Sequence, residues 1–74
     1  MLLSTSRPNS FFALVAYSEN PETEPCEVSR IQGLEESCTF AREFAESTPG
    51  VESVVVFEVL KNGELGAGEA CFLG

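Results

Sequence analysis

Glu52-Ser53-Val54-Val55-Val56-Phe57-Glu58-Val59-Leu60-Lys61-Asn62-Gly63-Glu64-Leu65-Gly66, residues 52–66, decides how this chain folds. β-Branched and aromatic side chains fill its first half, the composition of a strand from Glu52 to Leu60. Asn62-Gly63 then suits a two-residue type I′ turn, whose central residues need positive φ. A second strand, Glu64 to Leu73, completes a hairpin. Counting outward from that turn predicts Val59 opposite Gly66, Phe57 opposite Gly68, Val55 opposite Ala70 and Ser53 opposite Phe72. Large residues there oppose small ones, which leaves room for a helix and assigns this face to the core. The other face carries Val54, Val56, Glu58 and Leu60 beside Leu65, Ala67, Glu69, Cys71 and Leu73.

Upstream of the hairpin, Ile31, Leu34, Cys38, Ala41 and Ala45 recur at steps of three and four, with Phe40 and Phe44 widening the stripe. This predicts an amphipathic helix from Leu34 to about Ser47, stopped by Pro49-Gly50. Cys26–Gln32 reads two ways. Cys26 and Val28 alternate with polar residues as in a short strand, while Ser29-Arg30-Ile31-Gln32 has the form of a capping box. Residues 18–25, polar with two prolines, form a loop. Phe11–Tyr17 is apolar at every position, as in a central strand buried on both faces. Residues 1–10 read as a loose entry arm. The expected fold is a single α+β domain spanning 1–74. One helix packs on an antiparallel sheet of three strands, or four if an extra short strand precedes the helix, in the order β-α-β-β.

Composition narrows the function. The chain has 74 residues, and a domain this short buries only about 60% of its unfolded surface, too little for a deep preformed pocket. All twelve acidic residues are Glu, against four basic ones, for a formal charge of −8. That charge repels phosphates, so direct nucleic-acid binding is not expected. A larger basic protein would be attracted instead. Cys26, Cys38 and Cys71 form no CxxC pair and no His is present, so neither a zinc site nor another cofactor is expected. The odd cysteine count suggests reduced thiols and a cytoplasmic location, with Cys38 and Cys71 as small core residues. The apolar run Phe11–Ala16 is too short for a membrane span and lacks the flanks of a secretion signal.

Catalysis finds little support. With no His or Asp, no nucleophilic triad can be assembled. Glu58 and Glu69, diagonal neighbours in the derived register, are the one carboxylate pair suited to acid–base work, and solvated glutamates explain them as well. Gly66-Ala67-Gly68 lacks the following helix of a phosphate loop and reads as packing space.

Two functional expectations follow, neither enzymatic. In the first, Glu35, Glu36, Glu43 and Glu46 on the helix, with Glu22 and Glu24 in the preceding loop, form an acidic surface. It would occupy the basic groove of a larger nucleic-acid-binding protein or complex and inhibit it by mimicking a phosphate backbone. A phage-encoded inhibitor of the anti-CRISPR kind is one concrete form. In the second, the face bearing Val54, Val56, Glu58, Leu60, Leu65 and Glu69 is uncovered, and the chain homodimerises or docks through it as an assembly module. The alternative cover for that face is the arm Met1-Leu2-Leu3 or the segment 18–32.

Overall fold

A computed structural model describes residues 10–74. The entry arm, including Met1-Leu2-Leu3, lies outside the described residues except for Ser10. Four strands and one helix follow in order: β1 (Phe11–Ser18), β2 (Cys26–Gln32), α1 (Leu34–Ser47), β3 (Val51–Val59) and β4 (Leu65–Leu73). They form one antiparallel sheet, β2-β1-β3-β4, with the helix across one side. The fold is α+β, with the extra strand before the helix present. Ser29–Gln32 therefore belongs to β2, and no side chain caps the helix.

Gly33 turns the chain from β2 into α1. It has φ +96°, a conformation that side chains rarely adopt, and its N–H donates to the Ser10 carbonyl at 2.8 Å. Its carbonyl accepts the Ser37 N–H at 3.1 Å, which opens the helix. Glu35 and Glu36 lie in the first turn, where the positive end of the helix dipole favours them. At the other end Thr48 N–H donates to the Phe44 carbonyl, and Pro49-Gly50 leads into β3.

The helix buries a stripe of small residues, Ser37, Ala41 and Ala45, spaced four apart. These let the backbone approach the sheet and meet Phe12, Leu14, Val54 and Val56, all fully buried. Ala16, Ile31, Leu34, Phe44, Val51, Ala70 and Phe72 pack around that centre. Ser37 is the one buried polar residue among those described. Its hydroxyl donates to the Gly33 carbonyl at 2.7 Å, with the Ile31 carbonyl at 3.2 Å as a longer second acceptor. The polar group is thus satisfied at no cost to the core.

The hairpin departs from the predicted register, and the helix covers the opposite face of β3 from the one expected. Gly63 N–H donates to the Leu60 carbonyl, and Leu60 N–H donates to the Glu64 carbonyl. Lys61-Asn62-Gly63 is thus a three-residue loop with Gly63 at φ +89°, not a two-residue type I′ turn. Further irregularities flank Phe57: Val59 pairs with Leu65, Phe57 with Gly68, and Val56 with Ala70. β4 therefore carries two extra residues relative to β3. Beyond them Val54 faces Phe72 and Val55 faces Cys71. Val54 and Val56 are 0% exposed beneath the helix, so the face expected to be open is the core. Ser53, Val55, Phe57 and Val59 line the face that the helix leaves uncovered.

Gly33→Ala is expected to destabilise the fold by about 1–3 kcal/mol, because it forces a side chain into positive φ. A Cβ there would also stand 2.5 Å from Glu36 Oε1. Equilibrium denaturation against the wild type measures the loss. Val56→Lys, which would test an exposed interface position, should instead abolish cooperative unfolding, because it strands a charge under α1.

Candidate functional site: an acidic pole and an open sheet face

Six of the chain's twelve glutamates lie at one end of the molecule. β1 ends at Ser18, and Glu19 N–H then donates to the Gly50 carbonyl at 3.0 Å. This bond pins the loop 19–25 beside the turn that follows α1. The loop has its own order. Asn20 N–H donates to Ser18 Oγ, Glu22 N–H to Asn20 Oδ1 at 2.9 Å, and Thr23 N–H to the Asn20 carbonyl. Such an Asx-type turn holds Glu19, Glu22 and Glu24 in place, all exposed.

Glu46 lies in the last turn of α1 and Glu43 one turn earlier, both exposed, and Glu52 follows two residues after Gly50. The last helical turn contains no basic residue. The negative end of the helix dipole, worth about half an elementary charge, points into the same region. The nearest cation along the helix is Arg42, and among the described residues it forms no ion pair with Glu46, four residues further on. Lys61 lies at the opposite end, in the β3–β4 loop. We call this end of the molecule the acidic pole.

Of the six acidic positions singled out by sequence, Glu43, Glu46, Glu22 and Glu24 belong to the pole. Glu35 and Glu36 are exposed near the other end of the helix, about 15 Å of axial rise from Glu46. Glu19 and Glu52 join the pole only through the fold, because the bond from Glu19 to Gly50 links residues far apart in sequence.

The uncovered face follows from the pairing. Val15, Val55 and Cys71 form one row across β1, β3 and β4, and Ala13, Phe57 and Gly68 the next. Tyr17, Ser53 and Leu73 form a third. Phe11 and Val59 stand one residue beyond the Phe12–Glu58 pair, with Leu65 beside Val59. Leu73 is 75% and Phe11 47% exposed at its margins, while Ala13 and Val15 at its centre are buried. Of the six positions expected on an interface, only Leu65 lies on this face. Val54 and Val56 are core, Glu58 points to the helix side of β3, and Leu60 follows β3 and is exposed. Glu69 occupies the irregularity between Gly68 and Ala70. Cys71 is exposed and not a core residue.

Polar groups border this face along β2. There the pairing skips Val28, which brings Glu27 opposite Val15 and Arg30 opposite Ala13 on the same side of the sheet. Arg30 Nε and Nη2 both donate to the Glu27 carboxylate, and Nη1 reaches the Gly63 carbonyl at 3.3 Å. The guanidinium holds the Glu27 carboxyl below its ordinary range, chiefly through that hydrogen bond. It also ties the hairpin tip to the far edge strand.

The three cysteines are free. Cys38, on the helix flank, has its thiol pushed up by burial; Arg42 opposes the shift and Glu69 adds to it. It is thus the weaker nucleophile for its setting. Gly66 packs closely, since a Cβ there would meet Leu60 Cδ2 at 2.9 Å. Among the described residues no His, Cys, Asp or Glu group is arranged to hold a metal, and no helix is long and apolar enough to cross a membrane. Comparisons with protein-family models, curated proteins and solved structures return no match.

Arg30→Gln should return the Glu27 carboxyl toward its ordinary value and speed amide exchange at the hairpin tip. Because the folded-state value is depressed, the contact is complete above the ordinary carboxyl range and fails as pH falls through the lowered value. Carboxyl NMR titration of both proteins checks the shift and its sign.

Proposed function

We propose that this chain is a non-enzymatic binding module whose acidic pole engages the basic surface of a larger protein. One observation carries the reading: Glu43, Glu46, Glu19, Glu22 and Glu24 lie on the elements at the negative end of the helix, and among the described residues none of them is ion-paired. For stability this arrangement is unfavourable. A carboxylate in the last turn opposes the helix dipole by about 0.3–1 kcal/mol, and neighbouring like charges add to that. Glutamates placed for solubility alone carry no reason to collect where they destabilise the fold. A cationic groove would relieve both terms on binding and be steered to the pole at low salt.

Carboxylates presented together resemble, to such a groove, the charges of a nucleic-acid backbone. A partner that grips DNA or RNA is therefore the class that fits best. Occupying its groove would inhibit it, and a phage-encoded inhibitor of the anti-CRISPR kind is one form of this activity. Three free thiols fit a reducing compartment such as a cytoplasm.

The test uses opposite expectations for stability and binding. Glu43→Lys with Glu46→Lys should raise the unfolding midpoint slightly while weakening capture of basic, nucleic-acid-binding proteins from lysate by at least tenfold, as is usual for lost charge pairs. Glu35→Lys should do the reverse to stability, since it removes a favourable first-turn charge. If the pole variant binds the captured partner as tightly as wild type, the acidic pole is not the binding surface.

A further inference from the structure

Asn62-Gly63 is exposed at the tip of the β3–β4 hairpin, at the end of the molecule away from the acidic pole. We propose that it is a site of spontaneous deamidation, in which the Gly63 backbone nitrogen attacks the Asn62 side-chain amide, and that the Arg30 contact governs the rate.

The loop brings the reacting groups together. Asn62 Oδ1 accepts the Glu64 N–H at 3.0 Å. The ring that this bond closes contains the Gly63 nitrogen, so nucleophile and electrophile share one short circuit of chain. The same N–H is aimed at the oxygen on which negative charge gathers as Cγ becomes tetrahedral. Gly63 has no side chain to obstruct the approach. Asn20 supplies an internal contrast. Its Oδ1 accepts the Glu22 N–H at 2.9 Å in the same manner, yet the intervening residue is Pro21. A proline nitrogen has no proton to lose and cannot close the ring. The loop of the acidic pole is therefore inert where the hairpin tip is reactive.

The chemistry needs only water. The Gly63 nitrogen gives its proton to solvent base and bonds to Asn62 Cγ; the Cγ–Nδ2 bond breaks and ammonia leaves. Water then opens the resulting succinimide at one of its two carbonyls. Breaking the new N–Cγ bond gives aspartate. Breaking the original peptide C–N bond gives isoaspartate, whose backbone runs through Cβ and Cγ. Either product adds one carboxylate to a chain of charge −8.

The fold governs the rate because the attacking nitrogen is engaged. Gly63 N–H donates to the Leu60 carbonyl at 2.9 Å, and Leu60 N–H donates to the Glu64 carbonyl at 2.8 Å. Arg30 Nη1, reaching from the far edge strand, holds the Gly63 carbonyl at 3.3 Å. Attack waits for this loop to open, and loss of the Arg30 contact makes opening easier.

Peptide mapping by mass spectrometry tests this on the full chain, held for weeks at neutral pH with and without denaturant. Folded wild type should gain the mass of an amide-to-acid conversion at Asn62, part of it as isoaspartate, and none at Asn20. The denatured chain and folded Arg30→Gln should each convert at least about threefold faster, as expected when a hydrogen bond is lost. Asn62→Gln should abolish the conversion at this position; far-UV circular dichroism confirms that both variants are folded. A folded wild type that keeps its Asn62 amide while the denatured chain loses it would overturn the proposal. Conversion of folded Arg30→Gln at the wild-type rate would overturn the part assigned to Arg30, and equal rates with and without denaturant would overturn any control by the fold.

Discussion

A single helix, narrowed to Ser37, Ala41 and Ala45 on its inner side, is what the rest of this structure depends on. Small side chains bring the helix close enough to bury Phe12, Leu14, Val54 and Val56 completely. Close approach also limits reach, because a helix without bulky flanks covers only the middle of one sheet face. Phe40 and Phe44 extend it on one flank as a stacked pair with centroids 6.3 Å apart, yet Phe40 remains largely exposed. On the other side of the sheet Ala13 and Val15 are buried, Tyr17, Ser53, Val55 and Phe57 half-buried, and Cys71 and Leu73 exposed.

Electrostatics divides the molecule along a second direction. The helix dipole makes its two ends unequal, and the glutamates respond differently at each. Glu35 and Glu36 sit where the field favours them and help the helix start. Glu43 and Glu46 sit where it does not, next to an ordered loop that adds three more carboxylates. The neutral pair Glu27–Arg30 belongs to neither group and serves a mechanical role at the hairpin tip. One surface is thus rich in apolar groups and poor in charge, and a distinct one has the opposite character.

Periodicity made most of the architecture legible. The spacing Ile31-Leu34-Cys38-Ala41-Ala45 located the helix, and Pro49-Gly50 its end. Two features resisted. Asn62-Gly63 fits both a two-residue turn and a three-residue loop that puts glycine alone in positive φ, and Lys61 completes the second. Either choice leaves the alternation along β3 unchanged; the pairing of large with small residues pointed the helix to Val55 and Phe57, whereas it packs over Val54 and Val56. The extra residues in β4 have no compositional mark beyond the Gly66 and Gly68 positions, which tolerate irregular pairing. Ser37 was overlooked because a hydroxyl at a core position looks like an error until the nearby carbonyls of Gly33 and Ile31 are known. The acidic helix positions were legible as exposed residues. Their union with Glu19 and Glu52 was not, because it depends on a backbone bond across 31 positions of chain.

The skipped residue Val28 in β2 and the two extra residues in β4 lie on the outermost strands of the sheet. A regular rim is a template onto which further chains can add indefinitely. On both rims here the spacing of free amides and carbonyls is broken partway along, so an incoming strand would lose its match after a few residues. Growth by strand addition is thereby disfavoured at either border of the sheet.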